Sequence, residues 1–584
     1  MALVHLNILL QHQKQNIIKW LSSESVFSNS LAVTVGVLTG IVIVLYDYAL
    51  ELSSELFFEP VYNVQHYYVI FIPAIGGLLV GIISHRFMKN QRYSIDNVIE
   101  SATLHGGKMQ PRTVFLEVLS SVISLGSGAS AGKEAPVVLA GAGIGSAFAQ
   151  MLKMRGNRLK ILLGCGASGG IAAAFNAPLA GVVFSVEVIL GELEAATLVP
   201  IVISAVFATL VSNVIFGVRP IQISYYELIS PVHEAILYLV LGLFAGLTAV
   251  VLMRSLYKCR DFFNTLNIHP ITKPAVGGLF VGLIGYFYPQ IFGVGYDTIS
   301  QVLENDITFN LLLVLLVLKI IAFSLSLGSG GSGGSFVPAL FIGSMLGGAY
   351  GFIVNGLFPG VTSEPGAYAL AGMGAVFTGI SRAPLTAILV LFELTRNYGM
   401  VLPIMLACVL SNLVSSALHP ESIFTESLRR RGFIIRKGKE VDIMESLKVA
   451  DAMKREVQTI SVNKKVEALI ALMQSSRHAG FPVMDPEGRL WGIVTLKDIR
   501  DKVKQGELDK TISEIATSNL IVAYPDESLN TVLQRLATKD IGRLPVVSRE
   551  DSRKILGIIT RSDIVKLYDK AIVERMKYKS EKGN

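Results

Sequence analysis

The chain has 584 residues, 51% of them hydrophobic and only 16% charged, with a formal net charge of +7. An ordinary soluble domain carries about 25% charged residues, so the composition excludes one and points to a membrane. The surplus of positive charge is concentrated in "LRRRGFIIRKGK" from Leu428. Such a run beside a membrane helix marks a cytoplasmic end, and no nucleic-acid partner is expected.

The first thirty residues lack the basic start and small-residue cleavage site of a secretory signal, and read as a cytosolic amphipathic helix over 1–30. Apolar runs then recur, among them "SLAVTVGVLTGIVIVLYDYAL", "AILYLVLGLFAGLTAVVLM" and "LLLVLLVLKIIAFSLSL". These span a bilayer, while others are short and broken by glycine and proline, giving roughly ten to eighteen helical pieces. The three cysteines, Cys165, Cys259 and Cys408, are scattered and offer neither a disulfide framework nor a metal spacing.

The stretch "GSGASAGKEAP", Gly126 to Pro136, has the outward look of a phosphate loop. The nucleotide pattern demands glycine five positions before Gly132 and a hydroxyl after Lys133. Ser127 and Glu134 stand there instead, so that reading fails. The stretch has a second copy. At a constant offset of 202 positions, Gly126, Ser127, Gly128, Ser130, Gly132 and Pro136 meet Gly328, Ser329, Gly330, Ser332, Gly334 and Pro338. Further on, "APLAGVVFSVE" from Ala177 is echoed by "APLTAILVLFE" from Ala383, ending at Glu187 and Glu393. The membrane body is a duplication, with repeats at about 31–220 and 232–424.

Duplicated membrane halves place an ion site where the repeats meet, built from broken helices. Glycine and serine let the backbone leave the helix, and a proline suits the first helical turn that follows. Both repeats therefore bring a helix N-terminus into the membrane, where free amides attract anions. The spacing of four between Gly141 and Gly145, and between Gly343 and Gly347, is explained by close helix packing. Glu134 is not explained that way. A carboxylate on such a loop can occupy the anion site itself and leave when protonated or displaced. It is a gate.

At this point the chain resembles the CLC family of chloride channels and chloride/proton antiporters, over about residues 31–571. Gly132-Lys133-Glu134-Ala135-Pro136 is similar to the family's GKEGP motif, with Ala135 in place of the second glycine, and Gly334-Ser335-Phe336-Val337-Pro338 matches GxFxP. The resemblance implies a helical, polytopic membrane protein with an inverted repeat and re-entrant broken helices. It also implies a homodimer with one pore per subunit, resident in the inner or plasma membrane with both termini cytoplasmic. Carried over by position, Glu134 is the gating glutamate, the Ser335 and Phe336 amides face the central anion, and Lys133 beside the gate is a further anion-site candidate.

Three departures stand out. The family's GSGIP loop, which supplies a serine hydroxyl, falls best on "RYSID", with Tyr93 at the serine position; Ser94 serves if the register slips by one. The family's filter tyrosine falls on Phe424, which has no hydroxyl. The antiporters' second glutamate, directly after Glu187, is here Val188. An apolar side chain cannot accept a proton, so an uncoupled channel is preferred. An antiporter with another proton route, Glu100 being one candidate, is the alternative.

From Val449 the chain turns to an ordinary soluble mixture after a basic linker over 425–448. "GIVTLKDI" from Gly492 recurs as "GIITRSDI" from Gly557, each after a "FPV" or "LPV" strand. These units, 449–505 and 511–571, resemble paired cystathionine-beta-synthase (CBS) domains, an α/β module, followed by a charged tail over 572–584. The resemblance nominates Asp563 with Thr560, and Asp498 with Thr495, for the ribose of ATP, ADP or AMP. The same residues are good helix caps, and both readings stand. No cofactor is required, no catalytic or metal residues are expected, and chloride or a similar anion is the cargo. The different-class alternatives, a CBS-regulated membrane enzyme or cation transporter, would need a nucleophile–base pair, a metal cluster or several intramembrane acids.

Overall fold

The structure of the protein, a computed structural model, describes residues 24–62, 66–88, 92–154, 156–191, 195–217, 231–431, 435–436, 439–440, 447–476, 478–502, 508–539 and 541–568, with a few single positions between them. The expected N-terminal helix lies outside the described residues up to position 23, as does the charged tail. The chain forms two compact units, Met1–Gly438 and Lys439–Asn584.

The first unit is helical, and its two halves run through the same succession of elements. The first half contains α1 (Glu24–Tyr62), α2 (Ile72–Met88), α3 (Ile95–Leu104), α4 (Pro111–Gly126), α5 (Glu134–Met151), α6 (Asn157–Phe175), α7 (Pro178–Phe184) and α8 (Ala195–Phe216). The second contains α9 (Pro231–Thr265), α10 (Lys273–Phe287), α11 (Tyr296–Leu303), α12 (Phe309–Gly328), α13 (Phe336–Leu357), α14 (Pro365–Ser381), α15 (Pro384–Thr395) and α16 (Val401–Leu418). A last short helix, α17 (Ile423–Arg430), follows. Among the described residues eight helical segments are long and apolar enough to cross a membrane, and shorter apolar pieces lie between them.

The halves pack by the same device. A Cβ on Gly141 would run into the Gly166 carbonyl, and one on Gly343 into the Gly372 carbonyl. So α5 meets α6, and α13 meets α14, backbone against backbone, as small residues allow inside a membrane. Leu139, Phe336, Phe377 and Leu391 belong to one apolar cluster that joins both halves.

Two carboxylates complete the join. Glu187 accepts from the amides of Leu385 (3.2 Å) and Thr386 (2.9 Å) and from the Thr386 hydroxyl (2.7 Å). Glu393 accepts from the amides of Leu179 (2.9 Å) and Ala180 (2.8 Å). Each carboxylate thus satisfies orphan amides at the start of the other half's α15 or α7. Pro178 and Pro384 open those helices, at the one position where a missing N–H costs nothing.

α17 differs from the linker expected from residue 425. Phe424, Glu426 and Leu428 are buried, and Arg430 reaches both Glu426 (2.8 Å) and Asp261 (2.8 Å). The start of the basic cluster is part of the first unit because its cations are neutralised there.

The second unit contains β1 (Ile460–Ser461), β2 (Gly480–Met484) and β3 (Leu490–Thr495), and later β4 (Arg543–Val547) and β5 (Ile555–Thr560). β2 pairs antiparallel with β3 and β4 with β5, each with a register shift near the end, at Val483/Met484 and Val546/Val547. The two cores exchange segments. Val449 packs with Leu529, Leu544 and Ile559, whereas Ile512 and Ile515 pack with Phe481 and Val494.

Replacing Glu187 or Glu393 with leucine leaves two helix-start amides without acceptors. Each unsatisfied group costs about 1–3 kcal/mol when buried, so both variants should melt earlier in detergent, and by similar amounts. An unchanged melting temperature in either would remove these carboxylates from the join.

Candidate functional site

The site begins where α4 and α12 stop. After Gly126 and Gly328 the chain makes matching turns, with Gly128 at φ +88° and Gly330 at φ +105°. A residue with a Cβ resists that left-handed region, and the repeated glycines are there to reach it. Both loops then run to one crossing. The Gly132 amide donates to the Gly334 carbonyl at 2.9 Å, and the Gly334 amide to the Gly132 carbonyl at 2.7 Å. A reciprocal pair between equivalent residues is what a local two-fold axis between the repeats produces. It brings the N-termini of α5 and α13 to a single point.

Glu134 is the first residue of α5 and is completely buried. One oxygen, Oε1, accepts the amide of Phe336, the first residue of α13. The other, Oε2, has no hydrogen-bond partner among the described residues. A Cβ on Gly132 or on Gly334 would run into this carboxylate. The two glycines therefore have a second task, which is to leave room for the Glu134 side chain.

A cavity of about 70 Å³ lies against the same loop, lined by Ser94, Ala135, Gly334, Ser335, Phe424 and Ser427 among others. A single water needs roughly 10–15 Å³ of such space, so a small anion fits with part of its hydration. A larger cavity of about 860 Å³ is lined by Arg92, Tyr93, Glu117, Arg260, Ser332 and Arg431 among others. Ser94 and Gly333 line both.

These positions sort the residues singled out from sequence. Ser335, Ser94 and Phe424 share the small cavity, and the Phe336 amide donates to the Glu134 carboxylate. Tyr93 lines the larger cavity and not the small one, so of the two neighbours the geometry favours Ser94. Lys133 lies on neither: its ammonium pairs with Asp47 at 2.9 Å. Phe424 leaves the small cavity an aromatic wall without a hydroxyl. Tyr257, also on that wall, donates its hydroxyl to the Ile423 carbonyl at 2.8 Å. Val188 sits in a π-helical turn, Ser185–Leu190, packed against the main apolar cluster. Glu100 is engaged by Arg431 at 2.8 Å.

Sequence reading passed over Glu117, which is buried on α4 and accepts the Ser332 hydroxyl at 2.6 Å. The signal existed, since a carboxylate within an apolar helix is a functional flag.

In the second unit, Asp498 Oδ2 accepts from the amide (2.8 Å) and hydroxyl (2.7 Å) of Thr495. Asp563 Oδ2 does the same for Thr560, at 3.1 and 2.6 Å. Each aspartate thus caps its own turn, while Asp563 Oδ1 lies 3.8 Å from the Lys454 ammonium.

Comparison with known proteins gives the following. Residues 76–416, more than half the chain, match the model of the voltage gated chloride channel family, and residues 449–505 and 512–570 match the CBS domain. A ClcB-like chloride channel protein of Ralstonia nicotianae is 34% identical, over 62% of this chain and 85% of its own. A voltage-gated ClC-type chloride channel, ClcB, of Escherichia coli is 30% identical, over 68% of this chain and 97% of its own. Among solved structures, a slow cyanobacterial Cl−/H+ antiporter is similar with a TM-score of 0.63 and 27% identity, over 69% of this chain and 97% of its own.

The two cavities give opposite expectations for neighbouring hydroxyls. Ser94→Ala should weaken chloride binding by the worth of a hydrogen bond to a charged group, roughly 1.5–3 kcal/mol. Phe424→Tyr should tighten it, and Tyr93→Phe should leave it unchanged. Calorimetry on purified protein measures all three, and an effect confined to Tyr93→Phe would reverse the assignment.

Proposed function

The chain belongs to the voltage-gated chloride channel family, and from that premise we propose that it passes chloride or a similar monovalent anion through a pathway gated by Glu134. The observation that carries the reading is the carboxylate of Glu134 on the Phe336 amide. An acceptor-only group occupies a donor at a helix N-terminus, which is the place an anion would take. Carboxylate and anion then compete for one amide. Protonation of Glu134, or displacement by an incoming anion, removes the carboxylate and opens the path. With the gate away, the Ser335 and Phe336 amides and the Ser94 hydroxyl supply the donors a desolvated anion requires.

Passage is uncoupled in this reading. Strict exchange needs a proton carrier leading to Glu134 from the cytoplasmic side, and Val188 cannot serve as one. A bare charge in apolar surroundings carries a large desolvation cost. The protein works as a homodimer in the inner or plasma membrane, with lipid around it and both termini in the cytoplasm. No catalysis is assigned to it. The paired CBS domains bind an adenine nucleotide, with Asp563 and Thr560, and Asp498 and Thr495, as the residues set toward its ribose hydroxyls.

Reconstituted protein tests the gate. Glu134→Gln and Glu134→Ala should keep or raise anion efflux while abolishing its dependence on external pH, and a pH gradient should leave the wild-type reversal potential at the chloride Nernst value. Background flux from folded variants would remove Glu134 from the gate, and proton uptake driven by a chloride gradient would replace the channel by an antiporter.

The nucleotide reading has its own test. In the full chain, Asp563→Ala should lose ATP and AMP binding while anion flux persists. Wild-type protein that binds no adenine nucleotide at millimolar concentration leaves these aspartates as helix caps in a dimer scaffold.

A further inference from the structure

We propose that Glu117 and Arg92 form a proton-switched anion station on the wall of the large cavity, a second control point separate from Glu134. The proposal rests on the reading of the chain as an anion pathway and adds a site to it.

Glu117 sits on an apolar helix and is only 3% exposed. An ionised carboxylate there is costly unless it is well partnered. Its partners are the Ser332 hydroxyl at 2.6 Å, the Tyr93 amide at 3.4 Å, and Arg92, whose Nη1 stands 3.9 Å away. That last distance is too long for a hydrogen bond. Arg92 donates from Nη2 to the Gly330 carbonyl, while its buried Nη1 has no hydrogen-bond partner among the described residues. A charged donor is left unmet beside a cavity wide enough for hydrated ions. That is the chemistry of an anion site held half-closed by a neighbouring carboxylate.

The charges around the cavity make one proton count. Arg92, Arg260, Lys273, Arg430 and Arg431 line it, against Asp96, Glu100, Glu117 and Asp261. The lining is thus five cations against four anions, a net +1 that becomes +2 when Glu117 takes up a proton. Several of these groups are already matched, Arg430 with Asp261 and Arg431 with Asp96 and Glu100. Elsewhere around α4, Asp47 on α1 pairs with Lys133, and the Tyr46 hydroxyl faces Ser121. α2 brings no acid, and its bases, His85 and Arg86, are in its last turn. Glu117 is therefore the acid set directly against Arg92.

The switch is connected to the gate through backbone. Ser332 and Gly330, held by Glu117 and Arg92, belong to the loop that continues through Gly333 and Gly334 to the Phe336 amide under Glu134. Ionised Glu117 holds the Ser332 hydroxyl and offsets the guanidinium. Protonated Glu117 becomes a donor itself, and Arg92 Nη1 then takes a chloride-sized anion next to the small cavity. The device has one side only. At the offset of 202, the counterpart of Glu117 is Lys319, whose ammonium is committed to the carbonyls of Ile291 (3.0 Å) and Gly293 (3.1 Å).

The test uses full-length protein in planar bilayers, in the Glu134→Gln background, with chloride as the anion and pH varied on one face at a time. Acid on the face carrying the basic cluster from Leu428 should raise the current, and acid on the other face should not. Adding Glu117→Gln should abolish that dependence and hold the current at its acid level. Glu117→Asp should keep the dependence with a shifted midpoint, and Arg92→Gln should reduce the acid current most. Should Glu117→Gln not fold, the aspartate and Arg92 variants decide alone. A pH response that survives without both carboxylates overturns the station, as does a Glu134→Gln protein insensitive on both faces. Chloride-driven proton uptake that vanishes with Glu117→Gln overturns it too, in favour of a proton relay. Wild-type protein that passes no anion at all overturns the proposed function along with it.

Discussion

A buried carboxylate on a single backbone amide, Glu134 on Phe336, is the contact around which the membrane unit is built. It sets demanding conditions. Two helices from distant parts of the chain must stop inside the protein and start again facing one another. Their loops must cross closely enough for Gly132 and Gly334 to exchange hydrogen bonds, and no side chain can stand at either crossing residue. Rigid packing behind the loops then keeps the amide in place. The glycine contacts of α5 with α6 and of α13 with α14, and the caps supplied by Glu187 and Glu393, provide it.

The duplication separates what is scaffold from what is function. Where the halves do the same structural work, they keep the same chemistry: turns at Gly128 and Gly330, prolines at 178 and 384, carboxylate caps at 187 and 393. At other matched positions the side chains differ. Glu134 stands opposite Phe336, one as acceptor and the other as donor. Glu117 stands opposite Lys319, a carboxylate beside the large cavity against an ammonium committed to carbonyls. A two-fold backbone cannot by itself distinguish one face of a membrane from the other. Unlike side chains at matched sites can.

Much of this was legible in the residues. The repeat, the buried Glu134 and the helix starts each rest on local rules for glycine, proline and intramembrane acids, which act over a few positions. Tyr93 and Ser94 show where local reading stops. They are adjacent, both carry hydroxyls, and only the way α3 starts beside the loop decides which of them lines the small cavity. Lys133 is the same lesson in charge. It sits next to Glu134 in sequence, yet Asp47, on a helix far earlier in the chain, draws its ammonium elsewhere. Glu117 was legible as an anomaly and not as a partner, because Ser332 lies in the other repeat.

In the second unit the strands at "FPV" and "LPV" were readable from the repeat, and the threonine–aspartate pairs from the resemblance to paired CBS domains. The exchange of Val449 for Ile512 and Ile515 between the two cores was not, since apolar residues carry no address. The sequence by itself determined that this protein is a duplicated, helical membrane body with a carboxylate among anion-seeking amides, followed by two related α/β motifs. Composition, periodicity and repeats are sums over neighbours along the chain. Which hydroxyl lines the small cavity, which cation is neutralised and which acid faces Arg92 were decided only by tertiary structure. Those are contacts between residues on separate elements of the chain, and their energies depend on distance in space.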